Sequence, residues 1–353
     1  MNHDAKVLVA MSGGVDSSVA AALLLEKGCR CMGVTLRLFD NNAGGDNDKD
    51  GISDARLAAE KLGLTHSVLD LTGTFREKVI LPFIESYEQG LTPNPCVSCN
   101  RHIKFGQLFS AIKQFDCSYL ATGHYAQVEK SGNRWLLKKA VDPKKDQSYV
   151  LFCLNQETLS RVYFPLGGLT KNEVREIALA RNLANTEKQE SQDICFVPDG
   201  DYGNFIETYT GKRYPHGDIL DTSGKVVGTH RGIVRYTLGQ RRGLGVALHE
   251  PIYVNAKDIK RNTVTLGPET ALYSKTLIVD NINLITGDNL EKPMKVMVKT
   301  RYLQAERPAW AVQTGMDEIR VDFDEAQRAL TPGQAAVFYD GDIVVGGGII
   351  KTV

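Results

Sequence analysis

The sequence predicts an α/β protein: a parallel, doubly wound sheet, then a small central domain, then a C-terminal β-barrel. Three observations carry this reading. Apolar strand-like runs alternate with amphipathic helical runs through residues 1–200, the signature of βαβ units. Residues 201–272 are rich in glycine and turns, with short apolar alternations, and are expected to form a small α+β domain. Residues 273–353 read almost entirely as strands, which implies a small closed or sandwiched β structure.

The elements follow in order. Lys6–Met11 (KVLVAM) is a buried parallel strand. DSSVAAALLLEKG is a helix stopped at Gly28. Cys31–Phe39 is the next strand, and Asp40–Gly51, acidic and glycine-rich, is a loop. A helix ending at Gly63 leads to a third strand, His66–Leu71, and then to the helix TFREKVILPFIESYEQG. NRHIKFGQLFSAIKQF is helical and Ser118–Gly123 is a fourth strand. Thr170 and Glu173 form a capping box that starts the helix TKNEVREIALARNL. In the last segment TLIVDNINLI, KVMVKTRYL, WAVQTG, EIRVDF, AAVFYD and DIVVGGGII supply the strands.

Composition bounds the function. No stretch reaches the roughly 18 apolar residues of a bilayer span. The N-terminus runs straight into a strand, so a cytoplasmic location is expected. Lys+Arg and Asp+Glu both count 42, which leaves nucleic-acid binding to local basic faces. Seven cysteines, an odd number, argue against a disulfide framework. Cys117 and Cys153 lie in apolar runs and read as core thiols, and Cys29 and Cys31 flank a strand start.

Two stretches carry chemistry. VAMSGGVDSS (Val9–Ser18) joins a strand to a helix through two glycines. Gly13 and Gly14 let the backbone approach a ligand, and the N–H groups at the helix start make an anion site, with Ser12, Ser17 and Ser18 as further donors. The Walker A lysine and the G-x-G-x-x-G fingerprint are both absent. Asp16 would repel a phosphate unless it faces Mg²⁺ held against pyrophosphate. The second stretch, TPNPCVSCNRHIKFG (Thr92–Gly106), sets Cys96 and Cys99 in C-x-x-C spacing at a helix start, where the helix dipole is expected to lower thiol pKa. Half a zinc site would need a second pair, which the spacing does not offer. A third thiol, Cys195, lies in ESQDICFVPDG.

SGGVDS directly after a strand resembles the PP-loop ATP pyrophosphatases, whose sheet is of the adenine nucleotide alpha hydrolase-like type. AMSGGVDSSVAA, TPNPCVSCNRHIKFG, ATGHYA, KKDQSYVL, SQDICFV, YTLGQRRGLG, TRY and PGQAAVFYDGD together resemble the tRNA-specific 2-thiouridylases along nearly the whole chain. The resemblance implies a catalytic unit over 1–200, a central unit over 201–272 and a tRNA-contacting barrel over 273–353. It implies ATP and Mg²⁺, the wobble uridine of tRNAs for Glu, Gln and Lys as substrate, and a persulfide-donor protein as partner. It assigns ATP to Ala10, Met11, Ser12, Gly13, Gly14, Val15, Asp16, Ser17, Leu36 and Gly123. Asn94, Pro95 and Cys96 would line the target-base pocket. His124, Lys145, Asp146, Gln147, Arg301, Tyr302 and Gln334 would touch tRNA, with Arg241 and Arg242 as further basic groups.

The implied chemistry is coherent. A carbonyl oxygen leaves readily only once adenylated, so ATP is needed. A persulfide on Cys195 supplies transferable sulfur, and Cys99 attacks it, closing a Cys99–Cys195 disulfide that must then be reduced. The target base must be flipped into the site. One departure stands out: many relatives carry Asp where this chain has Cys96. Cys96, Cys99 and Cys195 could instead ligate a 4Fe-4S cluster with one open iron. A small-molecule amidotransferase or synthetase of the PP-loop type would explain the loop but not Cys99 and Cys195.

Overall fold

The computed structural model describes residues 5–39, 51–183, 194–246 and 250–353. All but the last residue of the expected Asp40–Gly51 loop, and the start of the Glu190–Gly200 stretch, lie outside these residues.

The first unit is built on five parallel strands. β1 (Lys6–Ala10) is central, with Val7, Leu8 and Val9 wholly buried, as a continuous apolar run in a two-sided sheet requires. Helix α1 (Val15–Glu26) returns the chain to β2 (Arg30–Arg37) on one side of β1. Helix α2 (Ile52–Lys61) leads to β3 (His66–Asp70) beside β2. β4 (Tyr119–Thr122) pairs with the other side of β1. Strand order therefore reverses around β1, and a crevice opens beyond the carboxyl ends of β1, β2 and β4. A hairpin, β5 (Gln127–Ser131) and β6 (Arg134–Lys138), follows. The fifth parallel strand, β7 (Val162–Tyr163), is two residues long, too short to show a period in the sequence.

Helical runs cover both faces. Residues 72–88 form one run with a π-helical turn at Arg76–Ile80, and Pro95–Cys99 opens a second that continues through a π-helical stretch at Asn100–Gln107. The helix Lys171–Ala180 starts with the expected capping box: Glu173 N–H donates to Thr170 Oγ1, and Thr170 N–H donates to Glu173 Oε2 at 2.7 Å.

The central unit opens with the helix Tyr202–Thr210. Its sheet has β8 (Gly217–Leu220), β9 (Val226–His230), β10 (Tyr253–Asp258) and β11 (Thr263–Gly267) in the order β10-β11-β8-β9, with β11 and β8 parallel.

The last unit is a closed six-stranded barrel. β12 (Tyr273–Leu284), β13 (Met294–Lys299), β14 (Arg307–Gly315), β15 (Glu318–Arg328), β16 (Ala335–Asp340) and β17 (Ile343–Thr352) run β12-β15-β14-β13-β16-β17, and β12 pairs back with β17. Closure removes the sheet edges and gives the barrel its own core around Leu277, Val298, Val321 and Phe338. The β5–β6 hairpin joins this sheet, with Lys138 opposite Ile343 and Lys139 N–H donating to Asp342 O.

Candidate active site

The phosphate loop is held from within. Gly14 caps α1 without a side chain, and Ser17 and Ser18 hydroxyls both donate to the Gly14 carbonyl. Ser12 N–H donates to Ser17 Oγ at 3.2 Å, which folds the loop over the first turn of α1. Gly13 sits at φ +77°, and a Cβ there would stand 2.4 Å from the Gly51 carbonyl oxygen. Gly123, at the end of β4, meets the same loop: a Cβ on it would lie 2.8 Å from Ser17 N.

This loop walls a cavity of about 440 Å³. Ala10, Met11, Ser12, Asp16, Ser17, Leu36 and Gly123 line it, as do His124, Gln147 and Cys195. The other lining residues, Val34, Thr35, Leu38, Phe39, Lys104 and Thr122, are ones the sequence did not single out. One end thus has loop N–H groups and hydroxyls suited to phosphate, and Leu36, Leu38 and Phe39 offer an apolar surface suited to a flat base. Gly13, Gly14 and Val15 build the loop without lining the cavity.

Asp16 is not arranged as a metal ligand. Lys171 Nζ donates to its two oxygens at 2.7 and 2.9 Å, and Tyr125 Oη donates to Oδ1 at 2.8 Å. The repulsion between this carboxylate and a phosphate is relieved by a lysine 155 residues away, a pairing local sequence cannot reveal. Among the described residues no group of three His, Cys, Asp or Glu side chains gathers at Asp16 to hold Mg²⁺. Lys171→Met is expected to strand the carboxylate and lower stability by about 2 kcal/mol, with Asp16→Asn recovering most of that loss in the double variant. Urea unfolding of the four proteins checks it.

The thiols come from two segments fixed by one core. Asn94 caps the helix Pro95–Cys99 by accepting from Cys96 N–H at 3.0 Å. Cys99 lies a turn further on, buried in the cluster that holds Phe75, Phe83, Phe196 and Val197. The Phe196 ring packs 5.7, 5.3 and 5.2 Å from Phe75, Phe83 and Phe205, which anchors the neighbouring, exposed Cys195 at the cavity. Cys96 is exposed, and all seven cysteines are free.

The expected lowering of thiol pKa is reversed. Burial pushes Cys99 up to about 12, with nearby Cys195, Cys96 and Cys153 working in the same direction against Lys104. Desolvation also raises Cys96, at the rim of densely packed protein. Cys99 stands too far from the helix start for the dipole to compensate. Alkylation of Cys99 by iodoacetamide at pH 8 is expected to lag a free thiol roughly a thousandfold and to climb beyond pH 10. Peptide mass spectrometry reads it; labelling as fast as Cys195 at pH 7 would contradict it. Among the described residues no group of three His, Cys, Asp or Glu side chains is placed to hold a metal ion. The alternative in which Cys96, Cys99 and Cys195 ligate an iron–sulfur cluster therefore finds no ligand set in this structure.

The remaining assigned residues divide. His124 is buried with its pKa well below the ordinary value through desolvation and Lys104, so it is neutral. Gln147 Oε1 accepts from Tyr125 N–H at 3.0 Å. Asp146 is occupied in a turn, accepting from Ala140 N–H, Ser148 N–H and Ser148 Oγ, with Lys145 beside it. Arg301 ties the central unit to the barrel, its Nη2 donating to Leu238 O, Ala329 O and Thr331 Oγ1. Tyr302 lies 6.1 Å from the Tyr149 ring. Gln334 Nε2 donates to the Thr92 and Pro93 carbonyls, fixing the segment that carries Asn94, Pro95 and Cys96. Arg241 and Arg242 are exposed.

Comparison with known proteins places this architecture. Residues 5–199 match the family model described as tRNA methyl transferase HUP domain, residues 203–268 its PRC-barrel domain, and residues 274–350 an aminomethyltransferase beta-barrel domain. The chain is 46% identical to the tRNA-specific 2-thiouridylase MnmA of Clostridioides difficile over 98% of each chain. The chain belongs to the tRNA-specific 2-thiouridylase family. The member from Acetivibrio thermocellus is 46% identical and that from Halothermothrix orenii 47%, each over 98% of this chain and 99% of the relative. Among solved structures, the U34-tRNA thiolase NcsA of Methanococcus maripaludis, with its 4Fe-4S cluster, overlays at a TM-score of 0.36 and 20% identity, over 59% of this chain and 67% of its own. No described helix is long and apolar enough to cross a membrane.

Proposed function

We propose that the protein is an ATP-dependent tRNA-uridine 2-sulfurtransferase, acting in the cytoplasm on the wobble uridine of tRNAs for Glu, Gln and Lys. One observation carries the reading: the phosphate loop and Cys195 line a single cavity. An activated oxygen and a sulfur carrier would thus meet without either partner leaving the site.

The reaction is written with ATP, tRNA and a protein persulfide as substrates. The uracil 2-oxygen attacks the α-phosphorus of ATP and pyrophosphate leaves, with Ser12, Ser17 and the loop N–H groups receiving the phosphates. The terminal sulfur of a Cys195 persulfide attacks C2, and AMP leaves with the electron pair of the C–O bond. The Cys99 thiolate attacks Cys195 Sγ, the S–S bond breaks, sulfur stays on C2, and a Cys99–Cys195 disulfide forms for reduction by an external dithiol. The barrel and central unit would hold tRNA, with Asn94, Pro95 and Cys96 facing the flipped base.

The test is to incubate the purified protein with unmodified tRNA, ATP, Mg²⁺ and a persulfide donor. Release of one pyrophosphate per 2-thiouridine, strictly dependent on tRNA, is expected. Pyrophosphate release without tRNA would instead point to a small-molecule acceptor. Methyl transfer, named in the description of the first matched model, needs neither ATP cleavage nor paired thiols, so labelled S-adenosylmethionine is expected to leave the tRNA unlabelled.

A further inference from the structure

Lys104 has no role so far, yet its position is unusual. Among the described residues that line the cavity it is the only lysine or arginine. The other lysine near the phosphate loop, Lys171, is committed to Asp16. Lys104 Nζ lies 3.4 Å from His124 Nε2, and His124 Nδ1 lies 2.7 Å from Thr122 Oγ1. An ammonium can only donate, so Nε2 accepts, the ring proton is on Nδ1, and Nδ1–H donates to Thr122. A buried, neutral histidine thus accepts from the ammonium, and among the described residues no carboxylate pairs with it. Lys104 lies on the helical run that begins with Cys96 and Cys99, and Cys195 lines the same cavity.

We propose that Lys104 is a catalytic residue of the sulfur-transfer half-reaction, donating to the phosphate oxygen on which AMP departs. This rests on the sulfurtransferase reading above. In that step the C2–S bond forms, the C2–O bond breaks, and the electron pair goes to the AMP oxygen. A preorganised cation at the developing charge, in a site partly shielded from water, lowers that barrier more than it strengthens ground-state binding. Its charge also works against burial on Cys96, Cys99 and Cys195, so one group serves both the attacking and the leaving side. The Walker A lysine missing from the phosphate loop is in this view replaced by a cation from the cysteine helix, placed where phosphate meets sulfur.

The test separates the two half-reactions. For Lys104→Met, ATP affinity and the tRNA-dependent pyrophosphate burst are expected to stay within about threefold of wild type. Single-turnover 2-thiouridine formation by enzyme preloaded with Cys195 persulfide is expected to fall by about 10²–10³, with adenylated tRNA accumulating. Lys104→Arg is expected to recover at least about tenfold of that loss, because charge and donor return. Thermal melts of both variants guard against misfolding. Thiolation by Lys104→Met within threefold of wild type would overturn the proposal. So would equal loss of the burst and of thiolation in a folded Lys104→Met, which would assign Lys104 to ATP binding. Wild type that forms no 2-thiouridine at all would fail the sulfurtransferase reading itself.

Discussion

Cys195→Ser is expected to abolish 2-thiouridine formation, by more than about 10³-fold, while leaving tRNA-dependent pyrophosphate release intact. Serine matches cysteine in size, and the fold here is held by Phe196, not by Cys195, which is exposed. A hydroxyl cannot carry a persulfide, so the sulfur route alone is cut. Cys99→Ser is expected to fail differently: it should still load sulfur on Cys195, visible as added mass, but should not release it to tRNA. Thiolation retained by either variant would show that sulfur reaches C2 without that thiol. The pair also bears on Cys99's high pKa. A buried thiol that resists deprotonation reacts slowly with stray oxidants, because the thiolate is the reactive form.

Gly123→Ala is the second large effect. Its Cβ would stand 2.8 Å from Ser17 N, 2.9 Å from Asp16 C and 3.1 Å from Asp16 O. These are backbone atoms at the start of α1, which cannot rotate away as a side-chain tip would. The variant is expected to lose about 1–3 kcal/mol of stability and roughly 100-fold in ATP affinity, because the loop must shift away from β4. Gly168→Ala is the control: a Cβ there meets nothing within 4 Å, so both quantities should hold. Calorimetric titration of ATP alongside denaturant melts reads both, and unchanged ATP binding in Gly123→Ala would remove Gly123 from the site.

Much of this was legible in the sequence, for identifiable reasons. The parallel sheet follows from apolar runs spaced by amphipathic helices, and the phosphate loop from a local motif whose glycines are needed where they occur. Leu36 and Gly123 came from the family resemblance, and both line the cavity at the carboxyl ends of their strands. What could not be read depends on distance along the chain. Lys171 reaches Asp16 across 155 residues, and Gln334 reaches Thr92 across 242. Lys104 was within a stretch singled out for its thiols, and its contact with His124, twenty residues on, exists only in the folded chain. The thiol pKa was misjudged because a helix start is visible in sequence, whereas the burial that outweighs it is not.

The hairpin β5–β6 has a consequence for how the chain comes apart. It belongs in sequence to the first unit and in hydrogen bonding to the barrel, and Tyr149, Phe152, Ala335, Val337, Tyr339 and Val344 share one apolar cluster across that same line. Tyr149 Oη donates to Ala335 O, and Asn283 Nδ2 donates to Phe152 O and Leu154 O. Cutting the chain near residue 272 would bare the outer edge of β6 and half of that cluster, an invitation to edge-to-edge aggregation. The nucleotide-handling and barrel segments should therefore melt in a single cooperative transition, and neither is a module to be lifted out and grafted elsewhere.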